Sequence, residues 1–326
     1  MTTVLPTVPA GDHPPAPSGG RKARSAVRRL TGERAMPYLL LAPAVLVLVA
    51  FLGWPAVQVI GISLRRLDLG ALVRGEVVWV GLANYREIFA DPEFWTITLR
   101  TLAFTATCVG GVMSCALLIA LLMRHLPSAV RVILQVTLVL AWAMPIIAST
   151  TVFQWIFDQQ YGILNKTLVK LGFESFAGHS WFGSGVSTLA VISLLIIWQA
   201  VPFVTFTLYA GLLTVPKDLY EAAGIDGARP SQVFRAVSWP ALRPLITLTT
   251  FLSVLWNFKV FAQVWAIREG GPDGESTTLP VLLYLKGIAD SRFGVASAVA
   301  TLMVLLLVVL TARYLQLLLR TREGQA

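Results

Sequence analysis

The sequence predicts an all-α integral membrane protein with six transmembrane helices, and three observations carry that expectation. The chain is 56% hydrophobic and only 13% charged, with a mean hydropathy of +0.72, far from the composition of a soluble globular domain. Six apolar segments have about the 20 residues that a helix needs to cross the hydrocarbon: 38–63, 101–123, 132–157, 186–212, 245–267 and 294–312. The cations also sort by side. With the N-terminus inside, 15 Lys and Arg fall on the inner side against 10 outside, leaving out Lys259 within a span. That bias places both termini in the cytoplasm. The net charge of +9 is thus a sidedness signal, and no nucleic-acid partner is expected.

Taken in order, residues 1–35 form a basic N-terminal tail whose first 20 residues are rich in Pro, Gly and Ala and are expected to be disordered. The pair Arg28-Arg29 reads as a positive-inside anchor. The first apolar stretch is too long for a signal-peptide core and lacks a small-x-small cleavage site, so it is expected to be retained. Residues 80–104 are amphipathic and aromatic, and should lie along the outer interface before the second span. The second span carries Gly110, Gly111, Ser114 and Cys115, small residues that permit close helix contact in lipid. Cys108 and Cys115 are seven residues apart on one helix, about 10.5 Å, beyond disulfide reach. Both read as packing residues.

The third span holds Trp142, Pro145, Ser149, Gln154 and Trp155. In the fourth, Trp198, Pro202, Thr205 and Tyr209 recur on one face, and Pro202 frees a carbonyl near Trp198. The fifth places Trp256, Lys259 and Gln263 at i, i+3 and i+7, and the sixth opens on the small-residue run GVASAVA. A permease domain is expected over 36–318, with a short tail over 319–326.

Between the fourth and fifth spans lies the polar loop 214–244, whose stretch 221–244 reads EAAGIDGARPSQVFRAVSWPALRP. Residues 217–224 predict two helical turns, with Asp218 placed to cap them and Glu221 near the positive end of the dipole. Asp226-Gly227 supplies a turn. Pro230 opens a second helix, carrying Val233, Phe234 and Val237, which Pro240 should stop. The result is a helix-turn-helix elbow whose bend is lined by small residues, suited to docking another surface.

This stretch resembles the EAA loop of binding-protein-dependent ABC importer permeases, whose pattern E-A-A-x-x-D-G-A is matched by Glu221, Ala222, Ala223, Asp226, Gly227 and Ala228, with Pro240 ending the following box. Val237 and Trp239 stand where the family has Ile and Leu. Further matches are Gly81, Leu82, Asn84, Tyr85, Phe94, Trp95, Thr101 and Leu102; Tyr161-Gly162 and Leu164-Asn165; and Gly270-Gly271-Pro272. Arg268-Glu269 departs from the threonine common there. The resemblance covers roughly residues 36–316 and is nearest to the carbohydrate-uptake (maltose/glycerol-phosphate-type) group. It implies a type I ABC importer permease fold in a bacterial cytoplasmic membrane, with residues 221–240 as a cytoplasmic coupling helix. Glu221, Ala222, Ala223, Asp226, Gly227, Ala228, Phe234 and Pro240 would then be the ATPase-coupling residues. The implied partners are a second homologous permease subunit, an ATPase dimer that binds ATP and Mg, and an extracytoplasmic solute-binding protein.

What the chain lacks agrees with that assignment. No Gly-Lys pair occurs, so there is no phosphate-cradling G-x-x-x-x-G-K-[ST] loop, and ATP hydrolysis is expected on another polypeptide. Every Asp and Glu lies outside the spans, which leaves no proton relay. No catalytic constellation, cofactor motif or metal-ligand spacing occurs either. For the substrate path, aromatic rings that cover a sugar's C–H face and amides or hydroxyls that bond its OH groups point to Trp198, Thr205, Tyr209, Trp256, Lys259 and Gln263. A di- or oligosaccharide is the expected solute. The alternatives are glycerol phosphate or a polyol, or a membrane scaffold without transport.

Overall fold

The computed structural model describes residues 36, 38 and 40–323, with side chains to Gln316. The expected N-terminal tail, 1–35, lies outside the described residues. The chain divides into two compact units, 1–58 and 59–326. The first unit holds most of α1 (Leu40–Ser63), an apolar helix with one wider π-turn at Val49–Gly53 where the Trp54 N–H donates to the Val49 carbonyl. Its large side chains are exposed, as expected where lipid replaces water.

The second unit begins at Val59, within the last turns of α1. A two-residue antiparallel ladder pairs β1 (Arg65–Arg66) with β2 (Val78–Trp79) around the short α2 (Leu69–Arg74). Next comes α3 (Ala83–Ala90), which positions Asn84. The buried Asn84 amide donates to the Ser63 and Arg65 carbonyls at 2.7 and 2.9 Å, satisfying the acceptors that a helix C-terminus leaves open. Asp91 accepts from the Glu93 N–H and Pro92 sits in the first turn, so the long α4 (Pro92–His125) starts nine residues before the expected span. Residues 92–104 thus continue into α4 as one helix, with one face packed inward and Trp95, Leu99 and Leu102 exposed. Phe94, Ile97, Thr101 and Phe104 are buried in the core.

The expected third span is not one rod. It comprises α5 (Ser128–Trp142) and α6 (Ile146–Ile156), bent by 100° across Ala143-Met144-Pro145. Pro145 forces its predecessor out of helical geometry, which breaks the run. After α7 (Ile163–Lys170), the fully apolar α8 (Gly185–Leu213) runs through Pro202 without interruption. The elbow helix α9 (Lys217–Ile225) follows, then α10 (Pro230–Phe258). The expected fifth span also breaks: α10 ends at Phe258 and α11 (Ala262–Arg268) resumes after Lys259-Val260-Phe261. An unforeseen short helix, α12 (Leu279–Ala289), precedes α13 (Phe293–Glu323), whose backbone stays helical beyond the expected span. Five described helices are long and apolar enough to cross a membrane, and six if the bent α5–α6 pair counts as one.

The second unit is organised around α4 and α8. Cys108, Val112, Ala116, Ala120 and Met123 on α4 meet Ile192, Leu195, Leu208 and Leu212 on α8, all essentially inaccessible. A Cβ on Gly111 would stand 2.3 Å from Ile197 Cδ1, so the close approach at that point needs a glycine. Gly110, Ser114 and Cys115 lie on the outward side of α4, because one helical face cannot hold all four small residues. The small opening of α13 packs as expected, with Val295, Ala298 and Val299 against Ile97, Phe258 and Leu279.

Candidate functional site

Two regions carry the predicted residues, one at each end of α10. At the first, α9 terminates in a left-handed C-cap. Gly227 adopts φ +68°, the Gly227 N–H donates to the Gly224 carbonyl at 3.1 Å, and the Ala228 N–H reaches back to Ala223 at 2.9 Å. These are the two bonds of a Schellman motif, and they give the Asp226-Gly227-Ala228 run a mechanical reason. The following helix opens with the Arg229 N–H donating to Gln232 Oε1 at 2.7 Å, and with Pro230 in its first turn.

Three details of the elbow differ from expectation. Asp218 makes no cap: the extended Pro216 occupies that position and Asp218 is already helical, so its carboxylate cannot reach back. Glu221 lies mid-helix and exposed rather than in the first turn. Pro240 does not stop the second helix. A π-turn over Phe234–Ser238, closed by the Trp239 N–H on the Phe234 carbonyl, widens the backbone where the proline ring would otherwise strike a carbonyl. One rod therefore runs from Pro230 to Phe258.

Tyr220 fastens the elbow to the bundle. The guanidinium carbon of Arg124, at the end of α4, lies 3.6 Å from its ring centroid, and its hydroxyl lies 3.2 Å from Ser238 Oγ in the π-turn. Arg131 braces the α4–α5 turn, donating to the Met123 and Leu126 carbonyls at 2.9 and 2.7 Å. Neither Arg124 nor Tyr220 was anticipated, because a lone arginine beyond an apolar run reads as a sidedness anchor.

At the other end of α10 lies a cavity of about 620 Å³, walled by both helix breaks: Trp142, Met144 and Ile146 from one, Lys259 to Ala262 from the other. Broken helices at membrane depth are tolerated where their freed backbone groups face such a space. Gln154 ties the two breaks together by donating to the Ala266 and Ile267 carbonyls at 2.8 and 3.1 Å. Trp256, Lys259 and Gln263 line the cavity. Trp198, Thr205 and Tyr209 do not. Trp198 packs on Phe153 with ring centroids 5.8 Å apart, Thr205 is buried with its hydroxyl unpartnered, and Tyr209 lines a different cavity near the elbow.

The face of α8 that meets the cavity lies one residue round from the one the spacing singled out, and consists of Ile196, Gln199, Ala200 and Phe203. Gln199 donates to Ser149 Oγ at 2.7 Å and accepts from Gln263 at 3.4 Å, making a chain of amides across three helices. It is the only amide in α8, and that lone amide among aliphatics and hydroxyls was the available signal. Phe203 sits 5.5 Å from Trp256, and Ser253 and Asn257 complete the polar lining. Aromatic faces with a few fixed amides and one cation suit a polyhydroxylated solute. The described residues include no cluster able to hold a metal ion.

A bundle of apolar helices with a mainly apolar cavity, set with a few polar groups, between broken spans, and with a polar elbow carried outside it, defines a membrane permease. Residues 113–323 match the model of the binding-protein-dependent transport system inner membrane component, and the chain belongs to that family. The chain is 44% identical over 94% of its length, and 93% of the relative's, to the diacetylchitobiose uptake system permease protein of Streptomyces coelicolor. It is 33% identical to the sulfoquinovosyl glycerol transport system permease protein of Agrobacterium fabrum, covering 90% and 92% of the two chains. A crystal structure of a bacterial ABC transporter that imports alginate shares the fold, with a TM-score of 0.74 at 18% identity over 92% of this chain and 99% of that one.

Proposed function

We propose that this chain is a membrane-spanning subunit of an ATP-driven, binding-protein-dependent importer of a di- or oligosaccharide. The observation that carries the proposal is α10, one uninterrupted helix bearing the elbow at its first turns and Trp256 at its last. Sugar-uptake relatives covering nearly the whole chain support the substrate class. The sorting of Lys and Arg supports an orientation with both termini and the elbow in the cytoplasm.

In this reading the partners are a second, homologous permease, two copies of an ATPase that bind ATP and Mg, and an extracytoplasmic solute-binding protein. Exposed Glu221 pairs with a cation on the ATPase, while Ala222, Ala223, Asp226, Gly227 and Ala228 hold α9 in its docked shape. Phe234 and Pro240 join the elbow to the rod. Closure of the ATPase dimer draws α9 inward and α10 carries the displacement to the cavity, which opens to the outside. The binding protein releases sugar there, against Trp256, Lys259 and the Gln199–Gln263 amides. Hydrolysis on the partner reverses the movement. The differential contacts of the two states supply the coupling.

The test is uptake of labelled diacetylchitobiose and maltose by cells carrying Glu221→Arg. Loss of uptake with normal membrane insertion supports coupling through the elbow; unchanged uptake overturns it.

A further inference from the structure

Beneath the elbow is a second cavity, of about 440 Å³, that the transport path does not use. Its polar lining consists of Arg124, Arg131, Lys217, Tyr209, Tyr220 and Glu221, which makes three cations to one acid. None of these charges forms an ion pair among the described residues. Their donors are also largely free. Arg131 spends Nε and Nη2 on backbone carbonyls and keeps Nη1, and Arg124 stands over the Tyr220 ring with no hydrogen bond from its guanidinium among the described residues. The nine-residue α9 begins at Lys217 with no side chain capping its first N–H groups. The Arg124 guanidinium, the remaining Nη1 of Arg131 and the Lys217 ammonium line one cavity, with an uncapped helix start at Lys217. That is the donor set of a tetrahedral oxyanion, which takes bidentate contacts from arginine and is favoured at a helix N-terminus.

We propose that this cavity binds a phosphate group, carried either by an anionic membrane lipid or by a soluble phosphate monoester, and that its occupancy tunes the elbow. The cavity lies at the end of the apolar α4 and α8, so a lipid headgroup reaches it from the bilayer surface and a soluble phosphate from the water beyond. Empty, it offers Glu221 three internal cations in competition with any outside partner. Filled, those cations are neutralised and the carboxylate is released outward. The tuning rests on the coupling role proposed for Glu221; the binding does not, so the two fail separately.

The test places the full chain in phosphatidylcholine nanodiscs containing a minority of phosphatidylglycerol and counts retained lipid by native mass spectrometry, with glycerol 3-phosphate and inorganic phosphate as soluble probes. Retention of phosphatidylglycerol, weakened about tenfold by Lys217→Gln and by Arg124→Gln, assigns the site to a lipid. No lipid preference, but phosphate binding with the same sensitivity, assigns it to a soluble monoester. Lys217 is exposed and outside the packed core, so its variant should fold, and Arg124→Lys should retain binding if Arg124→Gln disturbs the helix end. Failure of every probe to bind, or binding indifferent to both cation variants, overturns the proposal.

Discussion

The guanidinium carbon of Arg124 stands over the ring of Tyr220, 3.6 Å from its centroid. One residue ends the central helix α4 and the other sits in the elbow, so the contact joins the bundle to a segment that otherwise hangs from it by two chain connections. A partly exposed cation–π pair contributes about 1 kcal/mol, and the Tyr220 hydroxyl adds its bond to Ser238, worth about another 1 kcal/mol. Tyr220→Ala should therefore uncouple: ATP-driven uptake falls about tenfold while the amount of inserted protein stays unchanged. Tyr220→Phe keeps the ring and should retain most activity. Uptake assays on both variants with matched membrane levels decide the matter.

The second prediction concerns Gly227. At φ +68° an alanine costs roughly 1–2 kcal/mol, although no atom blocks its Cβ. Gly227→Ala should loosen the bonds from the Gly227 and Ala228 N–H groups and speed amide exchange across 223–228. Gly227→Pro removes a donor as well and should abolish uptake. Hydrogen exchange that is unchanged in the alanine variant would show that the cap is not what holds the elbow.

At the cavity, Gln199→Leu removes the middle of the Ser149–Gln199–Gln263 chain. The expected result is a rise of about tenfold in the sugar concentration needed for half-maximal uptake. Thr205→Val, away from the cavity, should leave that concentration unaltered, since its hydroxyl has no partner. A concentration series of labelled sugar on the two variants separates them.

The fourth prediction is a pH dependence at the opposite end from the elbow. Arg292 grips Glu87 through both carboxylate oxygens, at 2.7 Å each. That hydrogen bond, followed by the arginine's charge, holds the Glu87 carboxyl below its ordinary range. A depressed carboxylate contributes stability above its unfolded pKa, about 4.3, and loses it as pH falls through the lower folded value. The Tm difference between wild type and Glu87→Gln should thus be full at neutral pH and vanish in acid. Both side chains are partly exposed, so the effect is modest, roughly 0.2–1 kcal/mol. A difference that persists at low pH would point to packing instead.

Much of this was legible in the sequence, for identifiable reasons. Apolar length fixed the helices, and the Asp226-Gly227-Ala228 run signalled a cap because only glycine takes positive φ cheaply. The two broken spans were not legible, since apolar residues run on both sides of Met144, and Lys259 read as a cavity residue rather than as the point where the helix breaks. Proline misled twice in opposite directions. Pro145 marks a true break, whereas Pro240 is absorbed by a π-turn that nothing in residues 234–238 announces. The cavity face of α8 was misjudged because aromatic spacing drew attention to Trp198 and Tyr209, while the discriminating residue was a single amide among aliphatics. Arg124 was visible, but its partner 96 positions later was not.

The unbroken course of α10 also limits how this chain can change by insertion or deletion. Each residue added between Pro240 and Trp256 would turn everything beyond it by about 100°, swinging Trp256 and Asn257 off the cavity wall while Phe234 stayed at the elbow. Two turns' worth, seven residues, would restore the facing at the cost of an overlong rod. Length drift among descendants of this sequence should accordingly collect in exposed connections such as 171–175 and spare 230–258.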